Sequence, residues 1–232
     1  MKTYKHLFFD LDRTLWHFDR NSEETLQEII LEQRLHDYGV SDSTAFIREY
    51  RKINEMCWAQ YRKGELDKES LRVIRFSRVL EQHGVHTPGI AERMAERYVE
   101  VSPTKTVLCD GAMDVLEYLK GRGYVMHIIT NGFEEVQFVK LNNSGLSPFF
   151  QEVIISERIG FKKPHPKAFE FALRTSGALQ DESIVIGDDL EADVGGARKA
   201  GIDQIYYNPE RLTHEEVITH EIAHLHELRD LL

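Results

Sequence analysis

The chain has 232 residues, 41% hydrophobic and 29% charged, with a net charge of −10. That is the composition of a soluble globular protein of one domain or two small ones, and its negative balance argues against a general affinity for nucleic acid or for an anionic membrane. Cys57 and Cys109 are too few and too separated for a disulfide framework or a zinc site. No stretch approaches the roughly 18 consecutive apolar residues of a membrane span. Charged residues bracket Leu7 to Leu11 too closely for a signal peptide, so a cytoplasmic location is expected.

In chain order, His6 to Phe9 is a short apolar, aromatic run suited to a buried strand. It ends in Asp10 and Asp12. Carboxylates at the end of a buried strand are costly unless paired, hydrogen-bonded or bound to a metal. In an open parallel sheet, that end is also where ligands bind. Asp10 and Asp12 are therefore candidates for a Mg2+ and phosphate site.

Residues 16 to 97 read as four helices. Ser22 is the expected N-cap of Glu23 to Tyr38, and Ser43 to Lys63 and Asp67 to His83 follow, with Gly39 and Gly64 as stops. Pro88 is expected to open the fourth helix, through Val101. No strand interrupts them, so they form a bundle.

From Gly111 helices and strands alternate. The expected helices are Ala112–Arg122, Phe133–Ser144, Pro166–Ser176 and Leu190–Ala200; the expected strands are Tyr124–Thr130, Val153–Ser156, Ser183–Gly187 and Asp203–Tyr207. Alternation implies an α/β fold, a doubly wound, Rossmann-like parallel sheet with right-handed crossovers. The expected core is residues 1–15 and 98–232, with residues 16–97 inserted after the first strand as an all-helical cap at the carboxyl edge of the sheet.

Three later stretches belong with the acid pair. Ile128-Ile129-Thr130-Asn131-Gly132 is a strand ending in a hydroxyl, Lys163-Pro164 sets a cation before a helix, and Ile184 to Asp189, with Asp193, is a strand ending in acids. Taken singly, Thr130 is an ordinary strand-end hydroxyl, Lys163 a surface helix start, and Asp188-Asp189 an N-cap. Their joint order resembles the motif set of the haloacid dehalogenase superfamily. Thr130-Asn131-Gly132-Phe133 with Gln137, Ile155-Ser156-Glu157 with Gly160, and Gly187-Asp188-Asp189 with Asp193, Gly195 and Gly196 look like that superfamily's house-cleaning pyrimidine 5'-nucleotidases. Arg13 departs from the pattern, since many members carry glycine there.

The resemblance implies a Mg2+-dependent phosphomonoester hydrolase acting on a nucleoside monophosphate, with pyrimidines favoured; the sequence does not give the oligomeric state, a monomer being slightly favoured. Another small phosphorylated metabolite such as a sugar phosphate is the alternative, ahead of 2-haloacid dehalogenation and of a binding protein without turnover. Asp10 would attack phosphorus, and Asp12 would protonate the leaving oxygen and then activate water. Asp10, the Asp12 carbonyl and Asp188 would hold Mg2+. Thr130, Asn131 and Gly132 would bind phosphoryl oxygens, Lys163 would supply positive charge, and Asp189 and Asp193 would support the metal or Lys163. Trp16, His17 and Phe18, with Trp58 and Tyr61, are candidates for meeting the leaving group.

Near the end, His220-Glu221-Ile222-Ala223-His224 matches the zinc-protease pattern. Val217 to Ile222 reads instead as an edge strand before a helix at Leu225–Leu231, which would part the two histidines.

Overall fold

The computed structural model describes residues 3–232. Contacts divide the chain into two compact units, Met1–Phe18 with Thr106–Leu232, and Asp19–Lys105.

The first unit is built on six parallel strands in the order β3-β2-β1-β4-β5-β6. These are β1 (His6–Phe9), β2 (Val125–Thr130), β3 (Phe150–Ile155), β4 (Ser183–Gly187), β5 (Asp203–Tyr207) and β6 (His220–Ile222). β1 lies between β2 and β4, with Phe9 level with Ile128 on one side and Ile186 on the other. Its side chains alternate between two apolar layers, as a sheet covered on both faces requires. Leu7 and Phe9 join Val115, Leu116 and Leu119 on one face, and Phe8 joins Ala168, Phe169 and Ala197 on the other.

The helices, in chain order, are α1 (Phe18–Glu32), α2 (Ser43–Arg62), α3 (Lys68–Gln82), α4 (Ile90–Val101), α5 (Ala112–Gly121), α6 (Glu134–Asn143), α7 (Ser156–Ile159), α8 (Pro166–Ser176), α9 (Gly196–Lys199) and α10 (Leu228–Leu231). α2 and α3 start where side chains take up their free amides: Asp42 accepts from Ala45 N–H and Asp67 from Ser70 N–H. Within the helical unit, the rings of Tyr50, Phe76 and Tyr98 pack with centroids 5.0 to 5.8 Å apart. Among the described residues, no helix is long and apolar enough to cross a membrane.

Several local expectations need correction. Ser22 is not an N-cap. The helix begins at Phe18, and the buried Ser22 hydroxyl accepts a hydrogen bond from Tyr98 at 2.8 Å. The helix also ends at Glu32, because Arg34 turns left-handed (φ 51°) and a 3-10 turn, Leu35–Tyr38, buries Leu35 completely. The fourth helix opens after Gly89 at Ile90 rather than at Pro88. The helix expected over Leu190–Ala200 begins as a π-helical turn, Leu190–Gly195, before α9. The final helix is a 3-10 turn, Leu225–Glu227, followed by α10.

Residues 16–18 lie with the strands rather than with the helical unit. Trp16 pairs with Leu108, His17 N–H donates to the Val107 carbonyl, and Cys109 N–H donates to the Leu15 carbonyl. The outgoing and returning chain segments thus form one short ladder. His220 lies in β6 and His224 beyond it, so the two do not share a helical face and a two-histidine helical metal site has no basis here.

Candidate active site

The carboxyl ends of β1, β2 and β4 bring the sequence-derived candidates together. Asp10 follows β1 directly, and its N–H donates to the Ile186 carbonyl at 2.9 Å. Thr130 ends β2, Lys163 precedes α8, and Asp188 and Asp189 follow β4.

Lys163 is at the centre. Its Nζ donates to Asp10 Oδ1 at 2.7 Å, to Asp193 Oδ1 at 2.5 Å and to the Ile129 carbonyl at 2.7 Å. Only 2% of the residue is exposed. Burial by itself would lower the ammonium pKa, but Asp10 and Asp193 hold it above the ordinary lysine value. Asn131 fixes the backbone there: its side-chain amide donates to the Lys163 carbonyl and accepts from Lys163 N–H, both at 2.9 Å.

Asp193 is placed by the π-helical turn. Its Oδ2 accepts from Asp189 N–H at 3.1 Å while Oδ1 meets Lys163. Asp189 caps the same turn, accepting from the N–H groups of Glu191 and Ala192. Widened turns of this kind are frequent at functional sites. Gly187 makes the approach feasible, since a Cβ on it would lie 2.3 Å from Asp193 Oδ2.

The three carboxylates of Asp10, Asp188 and Asp193 each place one oxygen within 4.8 Å of the others. Crowded acids resist ionising. Burial pushes Asp10 up to about 7, with Asp193 and Asp12 adding to the shift and Lys163 opposing it. Burial also raises Asp188, helped by Asp10 and Asp193 and opposed by Arg13. Thr14 donates to Asp188 Oδ1 at 3.1 Å. An acidic oxygen cluster whose charged state is disfavoured fits a hard divalent cation, which would relieve that cost.

Asp12 lies apart from this cluster, against α6. Gln137 Nε2 donates to Asp12 Oδ2 at 2.9 Å and to Thr130 Oγ1 at 3.2 Å, and Lys140 Nζ donates to Asp12 Oδ1 at 2.5 Å. Thr130 Oγ1 also accepts from Gly132 N–H at 3.0 Å. A Cβ on Gly132 would fall 1.4 Å from Gln137 Nε2, so only glycine leaves Gln137 its place.

The motif set did not include Lys140. Its signal lies within α6, where Gln137, Lys140 and Leu141 are the buried residues. A lysine on the same face as a core leucine, one helix after Thr130, breaks amphipathic spacing.

Arg13 adopts φ 68°, where glycine costs least. The turn it makes closes with a 2.9 Å hydrogen bond from its N–H to the Trp16 carbonyl, and its guanidinium lies 4.7 Å from the Phe18 ring centroid. Trp16 is completely buried, with Lys140 Nζ 4.1 Å from its ring centroid. Its indole therefore packs the core and is not free to stack on a base.

Residues 4–201 match the family model of haloacid dehalogenase-like hydrolases. The chain belongs to that family. It is 34% identical to the pyrimidine 5'-nucleotidase PynA of Streptococcus pneumoniae, over 99% of this chain and 95% of that protein. It is 32% identical to the pyrimidine 5'-nucleotidase YjjG of Escherichia coli, over 97% and 96%. The crystal structure of the putative HAD-hydrolase YfnB of Bacillus subtilis bound to magnesium superposes with a TM-score of 0.89 at 28% identity, covering 99% of both chains. This chain is thus a hydrolase of the haloacid dehalogenase-like family with a doubly wound parallel core.

Proposed function

We propose that this hydrolase cleaves phosphomonoesters, with Mg2+, through an aspartyl phosphate on Asp10, and that its substrates are nucleoside 5'-monophosphates with pyrimidines preferred. The observation that carries the reading is Lys163 Nζ, 2.7 Å from Asp10 Oδ1 within the oxygen cluster of Asp10, Asp188 and Asp193. A nucleophilic carboxylate flanked by a buried ammonium and a cation-suited acid set answers the demands of phosphoryl transfer, which are positioning and charge neutralisation. The names of PynA and YjjG support the substrate class.

Asp10, Asp188 and the Asp12 carbonyl would hold Mg2+, in line with the magnesium of the YfnB structure; bound there, it supplies positive charge against the phosphoryl oxygens. Asp193 accepts from the Lys163 ammonium through Oδ1 and from Asp189 N–H through Oδ2, and its part is to orient Lys163. In the first step an Asp10 oxygen bonds to phosphorus as the ester P–O bond breaks, and the leaving oxygen takes a proton from Asp12. In the second step water bonds to phosphorus, its proton passes to Asp12, and the Asp10–phosphorus bond breaks to release phosphate. Thr130, Asn131 and Gly132 border the phosphoryl position, and Lys163 balances charge on the intermediate.

The test is a hydrolysis screen over nucleoside 5'-monophosphates and sugar phosphates, with and without Mg2+. Highest kcat/KM on uridine or thymidine 5'-monophosphate is the expected result. A sugar phosphate hydrolysed at least about tenfold better, the ratio that 1.4 kcal/mol of preferential binding produces, would overturn the nucleotide assignment.

A further inference from the structure

Each aspartate of the Asp10–Asp12 pair has a buried lysine of its own. Lys163, in the turn before α8, serves Asp10, and Lys140, within α6, serves Asp12. The role of Lys163 is absorbed by the reading above; that of Lys140 is not. Only 4% of Lys140 is exposed, and its ammonium is held between Asp12 Oδ1 at 2.5 Å and the Trp16 ring at 4.1 Å. Placing an ammonium there is an expensive way to cover an indole. A buried ion pair is often matched or bettered in stability by apolar residues of similar volume, and a leucine or methionine at position 140 would cover Trp16 without a charge to desolvate. The benefit therefore lies in what the ammonium does for Asp12.

Lys140 and Gln137 are three residues apart on α6, hence on one face, and each donates to one oxygen of Asp12, whose second lone-pair sites can carry the proton. Gln137 is tied in turn to Thr130. The orientation of Asp12 is thus set by a two-pronged clamp on a helix that packs into the core through Leu141. A proton donor must meet the leaving oxygen within a narrow geometry.

We propose that Lys140 is a positioning residue for proton transfer by Asp12, and hence a determinant of which leaving groups the enzyme can expel. The proposal rests on the reading of Asp12 given above. An alkoxide, such as the 5'-oxygen of a nucleoside, leaves only with a proton, which comes from Asp12 as the P–O bond breaks. A nitrophenolate leaves without one. Loss of the Lys140 prong should therefore damage expulsion of the alkoxide and largely spare expulsion of the nitrophenolate.

The experiment measures kcat/KM, which reports the chemistry up to leaving-group departure and not the later attack of water that Asp12 also assists, for uridine 5'-monophosphate, glucose 6-phosphate and p-nitrophenyl phosphate in wild type, K140M, K140Q, K140R, D12N and the D12N/K140M double variant. K140M keeps the length of the side chain and its cover over Trp16. It is expected to lower kcat/KM on the hydrolysed alkyl phosphates by about 10²-fold, the scale of a misplaced catalytic group, and on p-nitrophenyl phosphate by no more than about threefold. K140R should recover most of the loss, and K140M should cost little more in the D12N background, because the two act as one unit. K140Q carries the same test should K140M fold poorly. Equal fractional losses of kcat/KM on alkyl and aryl substrates would overturn the proposal, as would no loss on either. A leaving-group bias in D12N that K140M and K140Q lack overturns the Lys140 assignment alone, whereas its absence from D12N removes Asp12 from proton transfer and the Lys140 assignment with it.

Discussion

Lys163 Nζ lies 2.7 Å from Asp10 Oδ1, and both residues are buried. Such a pair contributes little to stability by existing, but much is lost when one member is removed. Replacing Lys163 with methionine leaves Asp10 and Asp193 buried without their counter-charge, a change that typically costs about 3–5 kcal/mol. Urea unfolding should show that loss as a lower midpoint with an unchanged slope, alongside inactivation. A shift worth less than about 1 kcal/mol would mean that the acids find other compensation.

Gly187 gives a steric prediction independent of charge. A methyl group there would meet Asp193 Oδ2 at 2.3 Å and Asp193 Cβ at 2.6 Å. Gly187→Ala should push Asp193 off Lys163 and lower kcat by about 10²-fold, as misplacement of a supporting group does. Wild-type turnover in this variant would show that Asp193 does not position Lys163.

His127 gives a pH dependence away from the site. It is completely buried, stacked on Phe8 at 4.7 Å, and 3.0 Å from His6 through their ring nitrogens. Burial, aided by the neighbouring His6, lowers its pKa to about 4. The unfolded chain, with a histidine pKa of about 6.5, binds a proton that the folded chain refuses between these values, so stability falls as pH drops through that window. At about 1.4 kcal/mol per unit, the loss approaches 3 kcal/mol near pH 4. His127→Phe should flatten the decline between pH 6.5 and 4 in denaturant titrations. A slope as steep as wild type's would place the pH sensitivity elsewhere.

Much of this arrangement was legible in the sequence because parallel strands carry their function at one edge. Asp10, Thr130 and Asp188 follow or end apolar runs that could only be buried strands, and β1, β2 and β4 are neighbours. What could not be read was lateral. Nothing in the spacing of α6 states that Lys140 reaches Asp12, 128 residues away in sequence. The π-helical turn that brings Asp193 onto Lys163 also escaped, since helical periodicity does not separate a wide turn from an ordinary one. The start of α1 was misplaced because Ser22 looks like a cap, and its partner Tyr98 is distant in sequence.

The acid cluster predicts a strict metal requirement. Chelation with EDTA should silence hydrolysis, and Mg2+ should restore it where Zn2+ does so poorly, because six oxygen-seeking positions suit the harder ion. Asp188→Asn should raise the Mg2+ concentration for half activity on the order of tenfold or more. Full activity in chelator would contradict the proposed use of Asp10 and Asp188, and chloride release from 2-chloropropionate would then be the next assay.

The central claim is a covalent phosphoryl group on Asp10, and it can be seen directly. Enzyme quenched during turnover of uridine 5'-monophosphate is reduced with borohydride, which converts an acyl phosphate to the alcohol and leaves free carboxylates intact, and the peptide spanning residues 5–13 is sequenced by mass spectrometry. The account predicts homoserine at position 10, unchanged aspartate at position 12, and no conversion in Asp10→Asn, which should also retain no more than about 1% of wild-type turnover, in line with the large losses seen on nucleophile removal. Homoserine at another aspartate, or unmodified Asp10 throughout rapid turnover, would contradict it.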